Sequence, residues 1–443
     1  MNELRRGACP SIADPMPTGD GLLARLMPPA PMSLETFMAL CDASQTHGNG
    51  VMEITQRGSL QVRGLSSGSA IPFARTATEL GLSAEGEPAI LASPLFGLDA
   101  QESVDLSLFS ATLRAQLTRD PDAKSIGPKV SLLIDGGGAL HLDGVPADLR
   151  LRVENASRFH LSMAGDAATS VSLGWVEPDV AIQAIAQVLT AVANRGRHAR
   201  ARDLVNDTDR DALRSALAGV LVAGPPPPPR PRAEPIGTHR MNDGRVARGI
   251  APAFGYGEAR MLKRLAHTAA RCGAASIRPA PGRALLIIGL TPAAADELAA
   301  IAAADGWVVQ PDDVRRHVVA CAGAPACASA ALSTRQLAPA IAQAANLLLD
   351  GSMTLHVSGC AKGCAYPGAA ALTIVGPDRL IVEGRACDIP CGGISPSNLI
   401  AGMGRLQAEV LRSRLAGEPN AKIMSRLGPR RVIELLGGEP THD

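Results

Sequence analysis

"VMEITQRGSLQVRGL", residues 51–65, sets two apolar-rich runs on either side of a central "TQRGS" and reads as strand, turn, strand. The two runs predict strands, and the glycine predicts the turn between them. The segment closes a longer unit. Before it come "DGLLARLMPP" (20–29), which reads as a strand, and "LETFMALCDASQTHG" (34–48), which has a helical apolar pattern. The same order returns in the second half of the chain. Residues 243–290 begin "DGRVARGIAP", continue "ARMLKRLAHTAARCG" and end "ASIRPAPGRALLIIGL". The registers agree closely, and Arg57 and Arg283 fall at nearly the same point, just before the last strand. Two βαββ stretches in one register point to duplication of an α+β unit.

Between the copies lies "GPPPPPRPRAEPIG" (224–237), a stiff, extended run that reads as an exposed linker. An α/β region follows each copy. In the first, "KVSLLIDGGGALHLDG" (129–144) reads as a hairpin with a glycine-rich turn, and 176–195 as an amphipathic helix. In the second, "RHVVACAG" and "MTLHVSGC" are short β-branched strands that end in cysteine, with a helix over 332–349 between them. The expected division is a half-domain at 1–85, a first α/β domain at 86–223, a linker at 224–240, a second half-domain at 241–305 and a second α/β domain at 306–443.

The chain of 443 residues is 46% hydrophobic but only 2% aromatic, with a net charge of +1. Few aromatics argue against a stacking platform for nucleic acid, and so small a charge supplies no broad field for nucleic acid or membrane. An acidic ligand must then be held by a few placed cations. No apolar run is long enough for a transmembrane helix, and "MNELRRGACPS" lacks the apolar stretch of a secretory signal. The expected compartment is a reducing cytoplasm. There, nine cysteines point to metal ligands or buried thiols before disulfides.

Four of those cysteines form a constellation. "CAGAPAC" supplies Cys321 and Cys327, and "CAKGC" supplies Cys360 and Cys364. Each pair begins where a strand ends, so adjacent parallel strands would present all four thiolates at one sheet edge, where open α/β sheets gather ligands. Four thiolates suit zinc or an iron–sulfur cluster. The five-residue spacer is wide for a tetrahedral ion and more natural around a cuboidal [4Fe–4S] cluster. "CDIPC" (387–391) has no partner pair, so Cys387 and Cys391 are expected to be buried structural thiols, and Cys41 and Cys272 core residues.

C-x5-C followed by C-x3-C resembles the sirohaem and [4Fe–4S] sulfite/nitrite reductase superfamily. "MEITQRGSLQVRGL" looks like its strand–arginine–strand motif, and the doubled unit like its paired ferredoxin-like halves. Within the superfamily, "VVACAGAPACASA", "LHVSGCAKGCAYPG" and "ASPLFGLD" look most like the precorrin-3B synthase family. The resemblance implies an α/β (α+β) fold with duplicated ferredoxin-like halves, two α/β reductase-like domains and a pseudo-twofold axis. It implies a monooxygenase of aerobic cobalamin synthesis, which uses O2 and NADH to convert precorrin-3A by hydroxylation at C20 with lactone formation. It also implies a [4Fe–4S] cluster on Cys321, Cys327, Cys360 and Cys364, and a mononuclear non-haem iron. Arg57 matches the motif arginine, and Lys129 the first lysine of the reductases' anion-binding pair.

The departures carry weight too. The second lysine of that pair is replaced by Ser131, and no counterpart of the second active-site arginine stands out. Reducing a small anion needs several clustered cations, so their loss favours a tetrapyrrole as substrate over sirohaem as cofactor. Arg57, Lys129, Arg63 and Arg283 are the candidate clamps for precorrin carboxylates, weighed against ordinary surface charge. Arg278 points to the same region. Lys362, inside the second cysteine loop, would tune a cluster, bind substrate or balance the thiolates. His141 and Asp143 have the spacing of iron ligands on one strand face, but a hairpin surface accounts for them equally, and no catalytic residue is assigned. "DGGGALHLDG" lacks the following helix of a dinucleotide fingerprint, so a separate reductase is a possible electron donor. The rival readings are a sirohaem-dependent sulfite or nitrite reductase and a non-enzymatic iron–sulfur electron carrier or redox sensor.

Overall fold

The computed structural model of the chain describes residues 10–82, 89–119, 125–127 and 129–441. The first repeat runs β1 (Met16–Thr18), β2 (Gly21–Leu26), β3 (Met32–Ser33), α1 (Leu34–His47), β4 (Val51–Ile54), β5 (Leu60–Leu65) and α2 (Ser67–Glu79). Ser33 starts α1 by accepting the Thr36 N–H on its hydroxyl, a normal N-cap. The α/β region after it holds β6 (Ala89–Ala92), α3 (Ser107–Arg119), β7 (Ser131–Asp135), β8 (Ala147–Asn155), β9 (Arg158–Gly165), β10 (Val171–Val176), α4 (Pro178–Ala193) and α5 (Asp207–Ala216). The second repeat holds β11 (Gly237–Arg240), β12 (Val246–Ile250), β13 (Tyr256–Glu258), α6 (Ala259–Arg271), β14 (Ser276–Ala280), β15 (Ala284–Leu290) and α7 (Pro292–Ala304). Last come β16 (Val318–Ala320), α8 (Thr334–Ala344), β17 (Leu355–Ser358), β18 (Ala370–Val375), β19 (Arg379–Gly384), β20 (Gly392–Gly393), α9 (Pro396–Arg412), α10 (Asn420–Leu436) and β21 (Glu439–Pro440).

The two repeats exchange strands. One sheet has the order β1-β2-β5-β4-β13 and the other β11-β12-β15-β14-β3. Tyr256 of the second repeat pairs with Glu53 of the first, and Met32 of the first with Ile277 of the second. Each repeat thus covers the open edge of the other, which would otherwise be an aggregation template. Phe37 and Leu40 on α1 share one buried core with Leu262 and Leu265 on α6 and with Leu285 and Ile287 on β15. The two ferredoxin-like halves are one packed body. The boundary expected at 85–86 and Cys9 lie outside the described residues.

The α/β regions repeat each other as well. In both, three parallel strands lead into an antiparallel run: β6, β7 and β8 into β9 and β10; β16, β17 and β18 into β19, β20 and β21. This corrects the reading of 129–144 as a hairpin. Leu133 lies opposite Arg150 and Ile134 opposite Leu151 in parallel register. β7 is buried throughout, as a central strand covered on both faces must be. The glycine-rich segment is the return connection, and His141 and Asp143 sit in it, not on a strand.

The proline run has no regular secondary structure, as expected of a linker, and β11 begins at Gly237, inside the span assigned to it. It is nevertheless tied down. Proline lacks an N–H but keeps its carbonyl. Pro225 accepts from Trp175 Nε1 at 3.0 Å, Pro228 from Arg152 at 2.7 Å, and the Pro231 carbonyl meets His141 Nε2 at 3.0 Å. Arg230 pairs with Asp135 and Asp143. Burial alone would push Asp143 up, but hydrogen bonds from His141 and Arg230 hold it well below the usual carboxylate range. These bonds engage the His141 and Asp143 pair, so its place is structural.

His160 stacks edge-on to Trp175 beneath this strap, with ring centroids 5.0 Å apart. Burial, helped by the charge of Arg152, pushes it down to about 4. The unfolded chain therefore takes up a proton below about pH 6.5 that the folded chain refuses. Stability should fall as pH drops through that range, by about 2 kcal/mol at pH 5 from this residue alone. Thermal unfolding at pH 7 and pH 5 should show the loss, and His160→Phe should shrink it; an equal loss in that variant would assign it elsewhere. No helix among the described residues is long and apolar enough to cross a membrane.

Candidate metal centre

Parallel pairing of β16 with β17 sets Ala320 beside Val357, so both strands run out at the same sheet edge. Cys321 follows Ala320 directly, and Cys360 lies two residues beyond the end of β17. The loops then lock together. Gly359 N–H donates to Cys321 Sγ at 3.1 Å, Ala331 N–H to the Gly359 carbonyl at 2.8 Å, and Lys362 Nζ to Ser329 Oγ at 3.1 Å. Gly359 is required there, because a Cβ would stand 2.5 Å from the Ala330 Cβ. Cys321, Cys327 and Cys360 are half-buried and Cys364 is exposed. Although the residue as a whole is exposed, desolvation of its sulfur within the loop and then the charges of Cys360, Cys321 and Cys327 push the Cys364 thiol up, with Lys362 opposing. The four sulfurs expected from the spacing are thus mutual neighbours. Yet among the described residues no three His, Cys, Asp or Glu side chains gather closely enough for a single ion. Four thiols on two interlocked loops, with a backbone N–H aimed at sulfur, suit a [4Fe–4S] cluster.

The arginines divide into two kinds. Arg63 is 3% exposed. Its guanidinium pairs with Asp20 at 2.9 Å and Glu53 at 3.4 Å and donates to the Ala326 carbonyl, next to Cys327. Gly19 closes on the same loop, where a Cβ would lie 2.2 Å from the Pro325 carbonyl oxygen. Arg63 therefore holds the first cysteine loop and has no free face for a carboxylate, which corrects its assignment as a clamp. Arg283 donates to the Ala365 carbonyl at 3.0 Å, next to Cys364, and so braces the second loop. Arg278 donates to the Pro94 carbonyl at 3.3 Å in the corresponding loop of the first α/β region, and burial pushes it down to about 10.

Arg57 and Lys129 are of the other kind. Both are exposed, and neither side chain has a hydrogen-bond or ion-pair partner among the described residues. The turn of Arg57 meets the matching turn of the second repeat, through a bridge from Arg57 to Pro281 and a 3.0 Å bond from Gly282 N–H to the Gln56 carbonyl. Lys129 stands just before β7. No bond joins it to the turn. Ser131, in place of the second lysine, is engaged by Asp148, whose carboxylate accepts its N–H at 2.9 Å.

Asp20, Glu53, Arg335 and His356 were not legible beforehand. Arg335 pairs with Glu53 and stacks on Tyr256 at 4.5 Å, tying α8 to the strand-exchanged sheet. His356 is fully buried on β17, edge-on to Tyr366. Cys387 and Cys391 differ from expectation. Cys387 is exposed and Cys391 half-buried, because they bracket the connection from β19 to β20; Cys391 packs against the core of the second α/β region, whereas Cys387 does not. Cys41 is buried, and that burial pushes its thiol up to about 12. Cys272, at the end of α6, is half-buried against the same core. A cavity of about 550 Å³ opens elsewhere, between Phe254, Asp312–Arg315 and α8, and no cysteine lines it.

The profile of the nitrite/sulfite reductase ferredoxin-like half domain matches residues 14–79. A precorrin-3B synthase from a Sinorhizobium species is 35% identical over 436 residues, which cover 97% of this chain and 94% of that protein. The chain belongs to the precorrin-3B synthase family. A ferredoxin-nitrite reductase of Synechococcus elongatus is 25% identical over 84% of this chain and 80% of its own. The solved structure of Mycobacterium tuberculosis NirA protein superposes with a TM-score of 0.73 at 19% identity, covering 93% of this chain and 84% of that one, a likeness of fold. This precorrin-3B synthase family member is therefore an oxidoreductase built on the sulfite/nitrite reductase plan, a superfamily that binds [4Fe–4S] clusters and sirohaem.

The internal duplication sets the two α/β regions side by side, and only the second has cysteines at the strand ends. Ala92 pairs with Ile134 as Ala320 pairs with Val357. Counting onward from those pairs sets Ser93 at the place of Cys321, Asp99 at Cys327, Gly137 at Cys360 and His141 at Cys364. The first half holds no thiolate at any of the four places, and its Asp99 is engaged by the Ala139 and Gln101 N–H groups.

Proposed function

We propose that the chain converts precorrin-3A to precorrin-3B with molecular oxygen. A hydroxyl enters at C20 and the ring-A acetate closes a lactone onto C1. One oxygen atom enters the product and the other leaves as water, with two electrons and a proton from NADH and a second proton from solvent. The observation that carries this reading is the 35% identity to a precorrin-3B synthase over 97% of the chain.

Cys321, Cys327, Cys360 and Cys364 would hold the [4Fe–4S] cluster, which supplies one-electron transfer when bound. Arg57 and Lys129, with unengaged charges, would bind precorrin carboxylates and orient the macrocycle. Arg63 and Arg283 keep the two cysteine loops in register. Among the described residues no ligand set for a mononuclear iron is assembled, and no step is assigned to one. Electrons would arrive from a separate reductase, since the glycine-rich loop joins two parallel strands without the helix of a dinucleotide site. The expected setting is the cytoplasm.

Turnover should require both oxygen and reductant, and the product should be one oxygen atom heavier. Under 18O-labelled oxygen gas the C20 hydroxyl should carry the label. Label entering from water would overturn the monooxygenase reading. A sirohaem spectrum in the purified protein, with reduction of sulfite or nitrite, would replace it with the reductase.

A further inference from the structure

Arg283 is held in a way that a substrate clamp does not require. Its backbone lies in the left-handed region at φ +64°, a conformation that costs a non-glycine residue free energy. Its side chain passes over Gly255, where a Cβ would stand 2.3 Å from Arg283 Cδ, so only glycine leaves it a path. The path leads inward, to the Ala365 carbonyl beside Cys364. Among the described residues, the one carboxylate whose charge acts on Arg283 is Glu53, and Glu53 is already paired with Arg63 and Arg335. His356, whose ring also feels Arg283, is fully buried, with neither nitrogen partnered among the described residues. It supplies no negative charge.

A guanidinium taken out of water without a carboxylate is unfavourable unless another anion lies close by. The anion nearest along the chain is the four-thiolate site: Cys364 is one residue from the carbonyl that Arg283 grips, while the exposed Lys362 is the cation whose charge acts on the Cys364 thiol itself. We infer that Arg283 is the internal counter-charge of the cluster, placed behind Cys364 to favour the state that has accepted an electron. This rests on the [4Fe–4S] reading of the site. Opposite charges in a medium of low dielectric interact over several ångströms, so the guanidinium acts without touching iron or sulfide. The role differs from a carboxylate clamp, which would act on substrate and leave the cluster unchanged.

The test is a dithionite titration of the anaerobically purified full chain, followed by electron paramagnetic resonance, with iron and sulfide measured on each sample. Arg283→Gln should shift the ratio of reduced to oxidised cluster at a fixed potential at least tenfold toward oxidised, a fall of about 59 mV for one electron. Arg283→Lys should retain most of the wild-type midpoint. Binding of precorrin-3A should change less than twofold in both. If Arg283→Gln cannot hold the cluster while Arg283→Lys can, the charge is again what matters. A wild-type midpoint in Arg283→Gln at full iron and sulfide would overturn the inference, and so would Lys and Gln variants that behave alike. Absence of iron and sulfide from the wild-type chain would instead remove the cluster reading, and this inference with it.

Discussion

Cys364→Ser should strip the protein of most of its iron and sulfide while leaving it folded, and Cys391→Ser should strip it of neither. The wild-type chain, purified without oxygen, should contain about four irons and four sulfides from the four-cysteine site. Cys364 is the exposed member of the set, so its loss opens no hole in the core. The rest of the loop is held by other means: the grip of Arg283 on Ala365, the bond of Ser358 Oγ to the Cys360 carbonyl at 2.7 Å, and the contact of Lys362 with Ser329. A serine hydroxyl is a harder and more basic ligand than a thiolate, so the corner iron should be lost. Cys391 pairs through its backbone with Leu380, in the connection from β19 to β20, and has no part in the cysteine loops. Metal and sulfide analysis with far-UV circular dichroism checks both variants. A full cluster in Cys364→Ser, or equal loss in the two, would reassign the ligands.

Arg57→Ala should weaken precorrin-3A binding at least tenfold with iron and sulfide intact. The chain's net charge of +1 offers no general attraction to a substrate with many acetate and propionate arms, so individual cations must orient it. Among the arginines weighed as clamps, Arg63 and Arg283 are turned inward onto the cysteine loops, whereas Arg57 is exposed and unengaged among the described residues. Loss of one partner from a hydrogen-bonded charge pair that the bound substrate shields from water typically costs about 2–5 kcal/mol. The turn that carries Arg57 is held by its backbone: Gly58 has φ +77° and no room for a Cβ against Ala280 and Pro281. Truncating the Arg57 side chain should therefore leave the fold alone. Lys129→Ala should act in the same direction. Anaerobic titration of precorrin-3A, repeated at rising salt, is the check, and affinity should fall with salt as it does for partly screened charges. Normal affinity in Arg57→Ala together with a lowered unfolding temperature would make the arginine structural.

The sequence by itself determined the duplication, the strand and helix order of each repeat, and the four cysteines. Those signals are local: a strand–turn–strand pattern in 51–65, a helical apolar pattern in 34–48, and thiols at fixed spacings just after β-branched runs. It also pointed correctly to two strands meeting at one edge, because a cysteine that ends each strand can share a site only if the strands are parallel neighbours. Tertiary structure alone decided the exchange of β3 and β13, since two- and three-residue strands carry no period and take their place from the edge they cover. It decided that 129–144 is a parallel return and not a hairpin, because glycines allow either and only the partner strand selects one. Above all it decided what each arginine does. Arg57, Arg63 and Arg283 look alike along the chain, as cations close to the turn or strand that ends a repeat. Burial against Asp20 and Ala326, or passage over Gly255 to Ala365, turns two of them into braces for the cysteine loops and leaves Arg57 exposed and unengaged among the described residues. A charge's role depends on what surrounds it when folded, and a linear chain does not list those neighbours.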